Sequence, residues 1–395
     1  MTPLRVVTAV VIAELLALSV WFSASAVVPA LTQEWNLSTG DAAWLTMAVQ
    51  LGFVVGALLS AAVNLPDRVA PRWVFAGGAL MAAATNAAVP LWCASFGPAV
   101  ALRFGTGMSL ALVYPVGMKI VASWEERERG LALGLLVGAL TVGSALPHLL
   151  KVMVPTNAWQ MVMLTTSGLA LVAAAIGAAF GGLGPHVAAS APFRWNAVSA
   201  AWRDPALRCA NIGYLGHMWE LYAFWSWIGI WLAHFWQDEA RIGVTTFAVI
   251  AIGSVGCLAG GYAADRIGRT AVTIASLLVS GVCCLLVGAF AHADPNLLTA
   301  VLLVWGFAVV ADSAQFSASV SELADRSYVG TALSVQAAMG FLLTLVSIRL
   351  VPVMAEVVGW EWCFAFLALG PMLGGMAMFM LRQSSDAAKL AGGRR

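Results

Sequence analysis

Apolar residues run along this chain in continuous stretches, each closed by a short polar, glycine or proline break. The stretches fall at 6–31, 42–64, 72–92, 98–122, 130–152, 158–182, 209–235, 243–264, 270–291, 296–318, 329–353 and 360–381. Crossing the hydrocarbon core of a bilayer takes about 20 apolar residues in a helix. Only helices and closed barrels satisfy their backbone inside lipid. A barrel would read as short alternating strands, whereas these runs are long and unbroken. The pattern therefore predicts an all-α membrane protein of twelve transmembrane helices. The longest polar stretch, 183–207, lies halfway along. It divides an N-terminal six-helix bundle, 1–182, from a C-terminal one, 208–395, and reads as a cytoplasmic linker.

Composition excludes the alternatives. Hydrophobic residues make up 61% of the 395 residues and charged residues only 10%, against about 25% charged in a soluble domain. The net charge of +1 leaves no basic patch for nucleic acid. The six cysteines are scattered without metal-ligand spacing, and no metal or cofactor is expected. No nucleophile–base pair stands at a known spacing, so the chain does not read as an enzyme. Residues 6–22 resemble a signal-peptide core, with Ser23-Ala24-Ser25-Ala26 as a cleavage site. The run continues to Leu31 and carries Glu14 at its middle, which a disposable leader has no use for, so it reads as a retained helix.

Lysine and arginine set the orientation. With the N-terminus cytoplasmic, the inner side holds Arg5, Arg68, Arg72, Arg127, Arg129, Arg194, Arg203, Arg208, Arg266, Arg269, Arg326, Arg382, Lys389, Arg394 and Arg395. The outer loops hold Lys151 and Arg241. The bias of 15 against 2 places both termini in the cytoplasm and the protein in the plasma (inner) membrane.

The two halves also repeat. Asp67-Arg68 follows the second span and Asp265-Arg266 the eighth, 198 residues later; Gly130 and Gly330 open the fifth and eleventh, 200 apart. Glu14 and Trp21 in the first span match Glu220 and Trp227 in the seventh at the same internal spacing. The loop after the eighth span reads Gly261-Tyr-Ala-Ala-Asp265-Arg266-Ile-Gly268-Arg269. It matches the Gly-x-x-x-Asp-Arg-x-Gly-Arg pattern of the major facilitator superfamily of secondary transporters. The first copy departs from it, with Val63, Ala70 and Pro71 in place of the two glycines and the last arginine. Arg103-Phe-Gly-Thr-Gly107 in the fourth span is similar to the arginine and glycines found there in the family. The resemblance covers the whole chain. It implies two pseudo-symmetric six-helix bundles rocking about a central cavity, lined by spans one, two, four, five, seven, eight, ten and eleven. It also implies a gate built on Asp67, Arg68, Gly261, Asp265, Arg266, Gly268 and Arg269, whose contacts form in one conformation and break in the other.

Polar residues inside the spans are the candidates for chemistry. An ionised carboxylate there costs at least ~2.5 kcal/mol. A carboxyl that meets water on each side in turn can carry a proton. Glu14 and Glu220 are read as proton-coupling groups, with His217, one turn from Glu220 on the same face, sharing that role. Tyr214, Phe224, Trp227 and Trp231 extend this face as an aromatic wall suited to a cation or a flat ligand. Trp231 lies near the interface, where belt anchoring is the stronger reading. Trp21, Gln50, Arg103, Asp312 and Gln315 join Tyr214, Phe224 and Trp227 as cavity candidates; His148 and Gln336 are weighed beside them. Arg103 needs a partner, an anionic substrate or a protein acid. Lys119 and Arg349 lie near span ends, where they snorkel, and carry no site role. Gly52/Gly56, Gly134/Gly138 and Gly256/Gly260 read as close-packing pairs, and Gly105-Thr-Gly107 and the Gly253–Gly261 run, which follow no strand, do not read as nucleotide loops.

The expected function is secondary active transport of a small organic solute by alternating access, coupled to protons, by a monomer in the lipid bilayer. The excess of deep acids favours cationic or neutral solutes, including drug efflux by exchange for protons. Arg103 leaves an organic-anion permease open. A non-transporting membrane sensor on the same fold is the reading from a different class.

Overall fold

The computed structural model describes residues 2–125, 129–155, 158–186, 199–325 and 328–394. Arg127, Arg194, Arg326 and Arg395 of the charge count, and most of the linker, lie outside them. Among the described residues every regular element is helical. In chain order these are α1 (Pro3–Leu18), α2 (Ser23–Ala26), α3 (Val28–Trp35), α4 (Thr39–Ala62), α5 (Leu65–Arg68), α6 (Pro71–Trp92), α7 (Phe96–Leu110), α8 (Tyr114–Trp124) and α9 (Arg129–Val152). They continue with α10 (Trp159–Phe180), α11 (Ala200–Arg203), α12 (Pro205–Phe235), α13 (Glu239–Ile267), α14 (Arg269–Leu286), α15 (Pro295–Ala311), α16 (Ser313–Leu323), α17 (Val329–Trp362) and α18 (Leu369–Gln383).

Helix starts follow local chemistry. Ser38 caps α4 in a capping box, its hydroxyl accepting from the Asp41 N–H while its own N–H donates to Asp41. Asp294 accepts from the backbone of Asn296 and Leu297 ahead of α15, with Pro295 at the first helical position. Gly268 separates α13 from α14 at φ 97°, a conformation that a side chain would strain.

Ten helical segments among the described residues are long and apolar enough to cross a membrane. The two remaining expected spans fall short for different reasons. The first is interrupted by a turn at 19–22, between α1 and α2. The seventh, α12, has 31 residues, but Asn211, His217, Glu220 and its aromatic rings lower its apolarity. Three of the ten are themselves broken: Phe96–Trp124 between α7 and α8, Pro295–Leu323 at Asp312, between α15 and α16, and Val329–Trp362 at Gly359, which stands at φ 82°.

Contacts divide the chain into two compact units. One is Met1–Ala189 with Ser226–Ala251; the other is Ser190–Trp225 with Ile252–Arg395. Both α12 and α13 therefore contribute to each. Within the first unit, a Cβ on Gly52 would overlap the Phe104 carbonyl, and one on Gly107 the Val49 carbonyl, so α4 and α7 touch backbone to backbone. Within the second, Gly256 and Gly260 of α13 meet the Phe307 and Ala311 carbonyls of α15 in the same way. Small residues are what allow such approach in lipid, where apolar burial between helices drives nothing.

Candidate functional site

The break in the first span frees carbonyls in the middle of an apolar helix, and Arg103 of α7 takes them. Its guanidinium donates to the Val20 carbonyl at 2.9 Å, the Asn86 Oδ1 at 2.8 Å, the Ser23 hydroxyl at 3.2 Å, the Leu45 carbonyl at 3.3 Å and the Trp21 carbonyl. Asn86 of α6 is held in turn by the Met163 carbonyl, Thr166 and Ser167 of α10. Arg103 is fully buried, and its partners are neutral oxygens of the first three spans rather than an acid. Trp21 in the same turn is fully buried, its ring 5.1 Å from Phe53 of α4. Gln50, one turn before Phe53, is fully buried with both amide atoms unpartnered among the described residues.

Glu14 and Glu220 are both buried, at 0% and 1% exposure, and neither faces lipid. Their surroundings differ. Glu220 of α12 accepts from Ser280 Oγ at 2.9 Å, Cys284 Sγ at 3.2 Å and Trp305 Nε1. The Trp305 ring also stacks on Phe224, with centroids 3.9 Å apart. Neither carboxylate oxygen of Glu14 has a hydrogen-bond partner among the described residues. That carboxyl fits a notch at Gly117 of α8, where a Cβ would overlap its Oε2, with Phe75 of α6 alongside.

His217 pairs with Asp312 at the break in the tenth span. Its Nδ1 lies 2.9 Å from Asp312 Oδ1, and its Nε2 lies 2.8 Å from Ser313 Oγ. Both side chains are nearly sealed, at 2% and 1% exposure. Tyr214 and Phe316 flank the imidazole, with centroids 6.2 and 5.5 Å away, and Gly340 of α17 makes room for the Tyr214 ring. Beyond Phe316, Gln336 donates to Asn211 at 3.2 Å. The aromatic face read from α12 is divided. Tyr214, His217, Glu220 and Phe224 belong to the second unit, Trp227 and Trp231 to the first. His148 of α9 and Thr246 of α13 border Gly229 of α12. Each has one buried polar atom unpartnered among the described residues.

The two Asp-Arg loops are anchored differently. Asp67 pairs with Lys119 of α8, which also donates to the Pro66 carbonyl at 3.3 Å; Arg68 is exposed. In the second loop Arg269 grips Glu322 of α16 through two bonds, 2.8 Å from Nε and 2.5 Å from Nη2, and donates to Gln315 at 2.9 Å. Asp265 stands 4.0 Å from Arg269 and is largely exposed, and Arg266 lies over the Tyr262 ring at 3.3 Å. Gly261 has open space where a Cβ would stand.

Sequence reasoning passed over Asn86, Lys119, Ser280, Trp305, Ser313 and Glu322. Asn86 carried a usable signal, as a lone amide inside an apolar run. Trp305 did not, because a tryptophan in such a run reads as packing until its N–H is seen to meet a carboxylate. A groove of about 470 Å³ lies among α13, α14 and α15. It is lined by Ile252, Val279, Leu303, Val304 and Phe307 with only Ser276 polar, and holds none of the candidate residues.

The sequence pattern of the Major Facilitator Superfamily matches residues 10–260 and 210–395. A protein named hexuronate transporter from Escherichia coli (strain K12) is 21% identical over 399 residues, covering 93% of this chain and 91% of its own. The hexuronate transporter of Escherichia coli O157:H7 is similar to the same extent.

Proposed function

Because the chain belongs to the Major Facilitator Superfamily of transporters, we propose that it moves a small polar organic solute by alternating access, coupled to protons. It would do so as twelve spans in two six-helix repeats, 1–182 and 208–395, in the plasma (inner) membrane with both termini cytoplasmic. The observation that supports coupling is the His217–Asp312 pair, an imidazole and a carboxyl sealed together where the tenth span breaks. A broken helix at mid-membrane offers free backbone groups beside its ionisable residues, the arrangement from which transporters build solute and ion sites. One proton shared across that pair neutralises it. Losing the proton leaves a charge that hydrocarbon rejects unless water or solute reaches it. Glu14, beside Gly117 and unpartnered among the described residues, is the second protonation site. Glu220, with three donors, ties α12 to α14 and α15.

The solute class follows from which charges are free. Arg103 is spent on five protein oxygens. The tenth-span site brings an acid, an imidazole, amides and rings together, which favours a neutral or cationic solute. The relatives named hexuronate transporters support a second reading, a sugar acid. A thermal-shift screen of purified protein separates the two, since a ligand raises the melting temperature by mass action. For coupling, the protein is reconstituted in vesicles with an imposed pH gradient and a solute found by that screen. Asp312→Asn is expected to abolish gradient-driven accumulation while solute exchange persists. Undiminished accumulation in that variant overturns the assignment.

A further inference from the structure

The segment after α18 folds back as a 3-10 turn, Ser385–Gly393, and its contacts are specific. Leu390 is fully buried in a cluster with Ala206 and Leu207 of α12, Phe316 and Val320 of α16, and Leu381 of α18. The next residue, Ala391, donates its backbone N–H to Glu322 Oε2 at 3.0 Å. Glu322 is the carboxylate that receives both bonds from Arg269. Arg394 donates to the Asp265 carbonyl in the same loop. Two other features show that this hook is held in place. Ala391 sits at φ 47°, a left-handed conformation that costs any residue with a Cβ. The other left-handed non-glycine residues among those described, Asn36 and Asn64, are of a type that tolerates it. Lys389 and Asp386 close the turn at 2.6 Å.

The element it grips begins at the candidate site. α16 starts with Ser313, which bonds His217, passes through Gln315, which bonds Arg269, and ends at Glu322. We infer that residues 385–394 are an autoinhibitory clasp, which fastens α16 to the Asp-Arg loop and restrains motion of the half-helix that carries the solute and proton site. Leu390 is the plug and the Ala391 N–H the latch. Releasing either frees the lower part of the tenth span without touching a residue of the site itself. The inference does not depend on which solute is carried, and its test needs none.

The full chain in lipid nanodiscs is treated with N-ethylmaleimide, and alkylation of Cys257 is read by peptide mass spectrometry. This buried thiol of α13 lies against the Ala314 backbone beside Asp312, so its reaction reports opening at the break. Trypsin cleavage after Lys389 reports release of the segment. Ala391→Pro removes the N–H and forbids the positive φ. It is expected to raise both rates about three- to tenfold, the population change that follows loss of one net hydrogen bond. Ala391→Gly keeps the N–H and relieves the strain, and is expected to lower both about two- to fivefold. If cleavage rises in the proline variant while Cys257 reacts at the parental rate, the segment detaches without loosening α16 and the inference is wrong. Unchanged rates for both readouts overturn it as well. Should the proline variant fail to fold, Leu390→Ser, with the same two readouts and the same expected directions, decides the question.

Discussion

Two regions in corresponding halves of the chain join the same pair of elements with the charges reversed. In the first half the loop supplies the acid and the helix the base: Asp67 meets Lys119 on the lower part of the broken fourth span. In the second the loop supplies the base and the helix the acid: Arg269 meets Glu322 on the lower part of the broken tenth span. The buried acids of the first and seventh spans make a similar contrast. Glu14 and Glu220 point at matching places, the third and fourth spans in one case and the ninth and tenth in the other. Glu220 is ringed by donors, whereas Glu14 meets a glycine notch. A repeat conserves which elements touch more faithfully than which chemistry joins them. In the first loop, which lacks the glycines and the last arginine of the second, the link to the broken span comes from Lys119 on the other side.

The largest effect expected of this contrast lies in the acids. Glu220→Leu leaves the buried Trp305 N–H without its carboxylate acceptor, and should destabilise the protein by about 1–3 kcal/mol. Glu14→Leu removes a buried carboxyl that has no hydrogen-bond partner to lose among the described residues, and should stabilise it by about 1–2 kcal/mol. Melting temperatures in detergent read both, and shifts of the same sign in the two variants would dissolve the distinction. A smaller effect is expected at the notch. Gly117→Ala crowds Glu14 and should cost about 1–3 kcal/mol. Most of that should be recovered in the double variant with Glu14→Ala, because the clash is between these two groups alone. Additive losses would show that Gly117 serves a different contact. The smallest effect belongs to the loops. Exchanging the charges of the first pair, as Asp67→Lys with Lys119→Asp, should change stability by less than about 1 kcal/mol, since the pair is partly exposed. The same exchange of Arg269 and Glu322 should cost more, because Arg269 also donates to Gln315 and Glu322 also accepts from the Ala391 N–H, contacts that the reversed pair loses. Equal losses in the two exchanges would mean that geometry adds nothing at Arg269.

Much of this was legible in the chain. Helical class, membrane residence and superfamily followed from run length and from Gly261 to Arg269. The close-packing role of Gly52, Gly56, Gly256 and Gly260 followed from their spacing. The interruptions were not visible: the turn at 19–22 is written in residues nearly as apolar as the helices around it, and Asp312 reads as a cavity acid rather than as a helix break. The partner of His217 was misplaced for a related reason. Helical spacing put it beside Glu220, while the two side chains leave α12 toward different neighbours, Asp312 at the break and Trp305 above it. Lys119 was set aside as a snorkelling end residue, since nothing in its own neighbourhood discloses an aspartate 52 residues earlier.

By itself, then, the order of residues determined what is local or averaged over a span: hydrophobic length, charge bias, repeat period and the glycine spacing that lets backbones meet. Tertiary structure alone decided which buried polar groups are satisfied. It joined Arg103 to carbonyls and an amide of the first three spans and His217 to Asp312, left Glu14 without a donor among the described residues, and hooked Ala391 onto Glu322. The reason is physical. Apolar burial is additive and indifferent to partner, so composition reports it. A hydrogen bond or ion pair in hydrocarbon depends on an atom within about 3 Å, and that atom comes from a part of the chain tens or hundreds of residues away.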